Sequence, residues 1–548
     1  MISPSRLPVL TRVALILTAL IPVALTADDS PGLHYYYPVP AANPPQTIKV
    51  DVCVYGGTPG GVAAAVQTRR LGKTSALAVF RRNVGGLTAA GLTAMDLGTA
   101  TAIGGMAHEF IKSAARSKFD ANKGSPELGF RPSQAEEMFR ALLKKAEVPV
   151  YFEHRLIKVE KEGGRITALV FENGNRIEAK MFVDATYEGD LFARAGVKYF
   201  VGREDNSTYG ETLNGFQLAK THQFRFRVDP YPTIRKPQSG LLPGITAGPL
   251  PDAGTGDKQV QAYNFRMWAV LADAGIPWPK PAGYHREDYA LLERYLNVDP
   301  ASEWKFTYGS GPVKLNVGDC NNAGPFSTDF VGGSNAWPEA DYATREKIFQ
   351  AHVTYQQGLM WYLANDEAVP ERVRKFTRKF GLPKAEFIET GGWPHELYVR
   401  EARRMISDYV MTEKNCRREI IAEESIGLAS YQMDSHHTSR VIVDGIVRAE
   451  GCIEGKVKLP YPVSYRSIIP RESECTNLFV PVCLSSTHVS YGSIRMEPVF
   501  MIFGQSAATA AVQAIDAGVT VQKVDYQKLR GQLLKDGQVL DWNTPASK

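Results

Sequence analysis

Cysteine is scarce in this chain. Six are scattered through 548 residues, at Cys53, Cys320, Cys416, Cys452, Cys475 and Cys483, and no two form a C-x-x-C pair. Iron–sulfur clusters and structural zinc sites draw on closely spaced thiols, so neither is expected, and no metal site is read. A block of one charge is also missing: 63 Lys and Arg against 58 Asp and Glu leave 63 − 58 = +5, with no long basic run. That argues against nucleic acid as a partner. There is no internal repeat and no low-complexity tract, which excludes a solenoid or a compositionally disordered chain. With 44% hydrophobic and 22% charged residues, what remains is an ordinary globular protein, long enough for two to four domains of about 150 residues.

The N-terminal apolar run is too short for a secure membrane span. Arg6 and Arg12 lead into residues 13–27, Pro22 interrupts the run, and Thr26 and Ala27 precede Asp28 and Asp29. This is the layout of a secretory signal peptide, with a membrane anchor as the alternative. No Arg-Arg pair precedes the run, so the expected route is the general secretory one, to the periplasm or the exterior. Any cofactor would then bind after export. Residues 1–27 are read as the signal and 28–47, with Pro31, Pro38, Pro40, Pro44 and Pro45, as a linker. An exported chain could pair some of its thiols, in a connectivity the sequence leaves open.

Past the linker the grammar is strand, glycine turn, helix. Ile48-Lys-Val-Asp-Val-Cys-Val-Tyr55 reads as a buried strand, Gly56-Gly-Thr-Pro-Gly-Gly61 follows, Val62 to Leu71 is a helix former, and a second strand is expected over 74–80. A dinucleotide-binding unit needs glycine where the chain turns, where backbone meets the pyrophosphate and where helix packs on strand. Its helix N-terminus then faces the phosphates. Gly56 and Gly61 fill the first and third places, Thr58 holds the second, and Gly57 and Gly60 lie between. Alone, the loop is equally readable as a structural turn. The acid that should end the second strand and hold the ribose is missing, because Val79 stands there, followed by Phe80-Arg81-Arg82. Arg82 is a candidate phosphate contact, or else solvated surface charge.

Gly85-Gly-Leu-Thr-Ala-Ala-Gly91 resembles the loop that passes the pyrophosphate and flavin in glutathione-reductase-like flavoproteins. The resemblance places Gly85, Gly86, Leu87 and Thr88 at the cofactor. Asp184-Ala-Thr-Tyr-Glu-Gly-Asp190 is similar to the second FAD signature of that superfamily, which adds Asp184, Ala185 and Thr186. A helix expected over 499–518 carries Gly504-Gln-Ser-Ala-Ala-Thr-Ala-Ala511. In related flavoproteins a helix at this place aims its positive end at the flavin, which implicates Gly504, Gln505, Ser506 and Ala507; small-residue packing is the alternative.

Further stretches resemble one family: Tyr263-Asn-Phe-Arg266, Arg400-Glu-Ala-Arg-Arg404, Ser430 to His436, Pro462 to Pro470 and Leu484 to Pro498. It is the family of FAD-dependent oxidoreductases that includes proteins labelled as xanthan lyases, and it is more distantly similar to the flavin-binding part of heterodisulfide reductase. The resemblance runs over about 50–517 and implies FAD without naming a substrate. The implied fold is α/β: a glutathione-reductase-like FAD/NAD(P)-binding Rossmann domain in two pieces, 48–205 and 415–535. An inserted α+β substrate domain would span 206–414, and 536–548 would form a tail. Local signals add a helix over 133–145 with a Ser133/Glu136 capping box. They also add a hairpin over 151–177 turning at Gly163-Gly164 and Asn173-Gly174, and strands over 181–184 and 477–481. Helices are expected at 342–365 and 397–411.

A flavin dehydrogenase acting on an alcohol needs a base for the hydroxyl proton. His436 and His488 lie in the family-like stretches and are the candidates, with Tyr465 and Tyr491 as alternative proton handlers. Arg403, Arg440, Arg466 and Arg495 could grip an anion or the flavin, and Arg495 is counted among the catalytic candidates. Asp434 could orient His436 if a turn brings them together. Trp268, Trp304, Trp337, Trp361 and Trp393 could stack on sugar faces, though core packing is the commoner use. The expected activity is hydride transfer to flavin N5 from a hydroxyl of a carbohydrate or other small polar metabolite, with the electron acceptor open. Reduction of an activated C=C bond in a carboxylate is one alternative. A non-redox carbohydrate-binding or lyase-type protein on the same fold is the other.

Overall fold

The structure, a computed structural model, describes residues 32–92, 95–114, 131–218, 220–298 and 313–542. The expected signal peptide at 1–27 lies outside these residues, as do Trp304 and 543–548. Six strands make most of the main sheet: β1 (Thr47–Tyr55), β2 (Ser75–Ala78), β3 (Val150–Tyr151), β4 (Leu156–Glu162), β5 (Arg165–Phe171) and β6 (Arg176–Asp184). Their order is β3-β2-β1-β6-β5-β4. The β-branched β1 lies at the centre, parallel to β2 and to β6, with Tyr55 opposite Ala78 on one side and Asp184 on the other. Helix α1 (Pro59–Arg70) follows β1. The turns that follow β1 and β6 therefore stand side by side at the carboxyl ends of neighbouring parallel strands, where open α/β sheets bind ligands.

The chain returns to this sheet near its other end. Leu478–Phe479 pairs parallel with Phe182 and Val183 of β6, and the helix Glu497–Ala517 packs along α1. That helix is long and apolar, but it is enclosed by the protein as a core element. A second, antiparallel sheet forms from Val313–Lys314, Gly318–Asn322, Met267–Leu271, Phe380–Pro383 and Gly275–Ile276, in that order. The helix Tyr342–Asn365, with the bounds read from sequence, accompanies it, N-capped by Asp341 through the Thr344 amide. Its Arg345 donates to both oxygens of Asp190 at 2.6 and 3.0 Å, and Arg403 donates to the same carboxylate at 2.8 Å. This buried triad ties the turn after β6 to the long helix.

Several local expectations are corrected. The 133–136 capping box does not form. The helix runs Pro132–Lys145 with Arg131 at the N-cap, the Ser133 amide and hydroxyl both donate to Glu386, and Glu136 accepts from Asn83 and Arg140. Proline at the first helical position and a distant carboxylate do the work assigned to the local pair. Residues 397–411 are not a helix. Arg404–Met405 pairs as a short strand with Tyr199–Phe200, because the charged side chains here are buried in ion pairs with remote partners. The hairpin turns at Gly163 and Gly174 are present, and the expected strand at 181–184 is the continuation of β6. The stretch read as a linker is anchored where described: the Tyr35 and Tyr36 amides donate to Glu346 at 2.7 and 2.8 Å, and Tyr35 stacks on Phe80. All six cysteines are unpaired thiols. Trp337 and Trp393 are buried core residues.

Candidate active site

The glycine turn after β1 is built for close approach. Gly56 has φ +115°, and a Cβ there would lie 2.5 Å from the Ala185 carbonyl carbon. A Cβ on Gly61 would overlap the Gly56 carbonyl, and one on Gly57 would lie 2.9 Å from Val79. Thr58, in the place of the middle glycine, caps α1 by accepting from the Gly61 amide at 3.2 Å, and its hydroxyl donates to Ala185 O at 2.8 Å. It therefore pins the first signature turn to the second. A cleft opens over this helix end, walled by Gly56, Gly57, Thr58, Thr186 and Gly86, with Val79, Arg81, Tyr35, Glu188 and Glu396 also lining it. Backbone without side chains at a helix N-terminus is the donor set that takes a pyrophosphate, so the cradle fits a dinucleotide.

The Gly85 loop joins the same cradle through a residue the sequence did not single out. The Leu87 amide donates to the Tyr187 hydroxyl at 3.1 Å, and that hydroxyl donates to Glu497 at 2.8 Å. Thr88 approaches the same carboxyl at 3.4 Å, and Gly86, at φ +49°, has no room for a Cβ beneath the Tyr187 hydroxyl. Glu497 opens the C-terminal helix, and burial pushes its carboxyl up to about 8. Burial likewise lifts Glu396 to about 7.

Gly504, Gln505, Ser506 and Ala507 lie two turns inside that helix. Gly504 presses against the Gly60 carbonyl, Gln505 accepts from the Met106 amide at 2.8 Å, Ser506 donates to Ile426 O at 2.7 Å, and Ala507 is buried. Their contacts are packing within the protein, and the helix end at the cradle is Glu497. Arg82 pairs with Glu153 at 3.0 Å, while its neighbour Arg81 lines the cleft. Asp184 organises its own turn, accepting from the amides of Thr186 and Phe192 and from the Thr186 hydroxyl. Burial raises it to about 6.

The two candidate histidines meet one polar layer from opposite sides of the pair Arg400-Glu401. His436 Nδ1 lies 2.7 Å from Asp329 Oδ2, and Arg400 donates to Asp329 at 3.1 Å. Burial would raise Asp329, but Arg400 and His436 outweigh it and hold the carboxyl at about 2. His488 Nδ1 lies 2.7 Å from Glu401 Oε2. Gln261 joins the halves, donating to Glu401 and accepting from the His436 amide. Burial, then the Arg400 charge, lowers His436, whose side chain stays 12% exposed. His488 is sealed, and burial followed by Arg404 drives it to about 3. Asp434 is 3.7 Å from His436 Nε2 and pairs with Arg495 at 3.0 Å. Tyr398, also missed from the sequence, carries the guanidinium groups of Arg266, Arg400 and Arg495 around its ring. Tyr465 stands apart: its hydroxyl donates to Val521 O at 2.6 Å, which corrects its assignment as a proton handler.

Two glycine turns on adjacent strand ends, latched by Thr58 and Tyr187 under a C-terminal helix, make this a dinucleotide-cofactor enzyme of Rossmann-like α/β build. Residues 51–533 match the FAD dependent oxidoreductase family, and the chain belongs to it. It is a flavoprotein enzyme whose cofactor is FAD, which sets aside the non-redox alternative. No curated protein matches the chain. Solved structures show short, local likenesses. A flavin-containing monooxygenase from Stenotrophomonas maltophilia is 20% identical over 30% of this chain and 44% of its own, with a TM-score of 0.20. L-proline dehydrogenase from P. horikoshii is 18% identical over 29% and 25%, TM-score 0.18. A 3-ketosteroid dehydrogenase from Rhodococcus jostii RHA1 is 16% identical over 27% and 48%, TM-score 0.19. The matched stretch spans less than two thirds of each of these chains.

Proposed function

We propose that the protein oxidises a hydroxyl of a carbohydrate or other small polar metabolite, outside the cytoplasm, with His436 as the base. The observation that carries this reading is the Arg400–Asp329–His436 series. FAD in the cradle supplies the two-electron acceptor. Asp329 holds the Nδ1 proton of His436 and fixes the ring, so Nε2 is the nitrogen left for a substrate proton. The lowered affinity of His436 for protons keeps it in the neutral, accepting form at neutral pH. In this reading residues 206–414 are the domain that covers the substrate, and Glu188, in the same cleft as Val79, takes the ribose-binding role of the missing acid.

Each arginine around Tyr398 already has its own aspartate, Asp319 for Arg266, Asp329 for Arg400 and Asp434 for Arg495. That leaves the cluster poorly suited to binding a substrate carboxylate, and no contact there favours alkene reduction. The test is anaerobic bleaching of the FAD-loaded protein by a panel of sugars and polyols. His436→Gln should bind FAD normally and slow bleaching by roughly 10²- to 10⁴-fold. Bleaching at the wild-type rate would remove His436 from the chemistry. Reoxidation of the reduced protein by alkene carboxylates, with no bleaching by alcohols, would replace the reading.

A further inference from the structure

Buried arginines in this protein come with carboxylates. Arg203 has Asp257 and Glu450, Arg345 and Arg403 share Asp190, Arg404 has Glu204 and Glu401, and even Arg155 lies 3.6 Å from Glu172. Arg440 is different. It is 3% exposed, on the strand Ser439–Val443, and among the described residues no carboxylate lies within ion-pairing distance of it. Its Nε donates to Pro325 O at 2.8 Å, its Nη1 reaches Gly244 O at only 3.4 Å, and its Nη2 is buried without a partner. A buried guanidinium is destabilising unless an anion answers it.

Arg440 also lines a cavity of about 290 Å³, at the small end of the range of small-molecule sites. The walls beside it are aromatic. Phe326 lies 4.7 Å below the guanidinium, and Phe330 stacks on Tyr355 at 4.5 Å and 10°. The Tyr355 hydroxyl donates to Ser327 O at 2.7 Å and stands beside Arg440 as a neutral acceptor, which leaves the charge without an anion. Ala351, on the exposed side of the helix Tyr342–Asn365, and Asp288 stand at the edge.

We propose that this cavity binds a small monocarboxylate with a flat apolar body, its carboxylate answering Arg440 and its body lying against Phe326, Phe330 and Tyr355. A phosphate would call for more donors than one arginine offers, and Asp288 at the rim opposes a second negative charge. The site does not rest on the redox reading above, because none of the walls named here belongs to the His436 series.

The test uses the oxidised, FAD-loaded protein and 3-phenylpropanoate as the probe, with its uncharged amide as the control, by titration calorimetry. Saturable binding of the acid is expected, with the amide weaker by roughly 10- to 100-fold, as for a hydrogen bond to a charged group. Arg440→Met should lose the acid by a similar factor, keep the flavin spectrum, and melt at a higher temperature without ligand, since it removes an unanswered buried charge. Ala351→Trp, which leaves Arg440 in place and fills the mouth, should abolish binding without changing the melting temperature, and it serves if the first variant fails to fold. Equal affinity for acid and amide overturns the proposal. So does acid binding unchanged in either variant, or no binding of the acid at millimolar concentration.

Discussion

Glu497 should make the stability of this protein fall as pH rises through neutrality. Its carboxyl is raised from an ordinary value of 4.5 to about 8 by burial. A carboxyl raised in the folded state carries no penalty below pH 4.5, where it is protonated folded or unfolded. The penalty grows from there and is complete above pH 8, where the buried carboxylate must be charged. The gap of about 3.5 units, at 1.36 kcal/mol per unit, is worth about 5 kcal/mol. Glu497→Gln keeps the shape and an acceptor for the Tyr187 hydroxyl, but it cannot ionise. Unfolding entropy near 2 cal/mol/K per residue gives about 1 kcal/mol/K for a chain of this size, so the effect reads as about 5 °C. Melting curves of wild type and variant should coincide near pH 5 and separate with rising pH, the variant melting about 5 °C higher at pH 9. Glu396 titrates in the same window, to about 7, which is why the difference between the two proteins is the quantity to measure. A constant difference from pH 5 to 9 would refute the reasoning, since it would mean Glu497 ionises freely in the fold.

Gly504→Ala should force the C-terminal helix away from α1, because its Cβ would overlap the Gly60 carbonyl. Overpacking of this kind costs about 1–3 kcal/mol, and with α1 displaced FAD retention on dialysis should drop; retention and melting like wild type would show that the helices part freely. His488→Gln should lower the melting temperature, because Glu401 loses its imidazole partner, yet it should leave flavin bleaching within about threefold of wild type, an outcome that a catalytic His488 would contradict. Tyr465→Phe removes one hydrogen bond to Val521, worth about 1 kcal/mol, and should leave turnover unchanged in a steady-state assay.

What could be read in advance was what neighbours in the chain decide. The helix Tyr342–Asn365 follows its pattern from an aspartate cap, and the turns at Gly163 and Gly174 follow from glycine at positive φ. The glycine turn and the Asp184 turn were legible for the same reason. The polar layer around His436 was only half legible. His436 stood out by type, but its partner Asp329 is 107 residues away and no spacing announces it. A helix is expected over 397–411, but its charged residues pair with Asp329, His488 and Glu204 in other parts of the chain. Ser133 and Glu136 had the right letters for a cap, but Glu386 takes the serine. One signal was available and unused: Tyr187 breaks the small-residue pattern of its signature, and a large residue there needs a partner, which Glu497 supplies.

Building the cofactor cradle from segments far apart in the chain fixes when it can exist. Thr88 and Glu497 are separated by 409 residues, and Gln67 and Thr509 by 442. Contacts at that separation carry a large loop-closure entropy and form late. As the chain leaves the ribosome, the glycine turn emerges long before the helix Glu497–Ala517 that backs it. A nascent chain ending before residue 497 would leave the flank of α1 that this helix covers exposed, a surface prone to aggregation. Cofactor capture is therefore a late event: a molecule becomes yellow only after the helix Glu497–Ala517 has been delivered and has folded back onto α1.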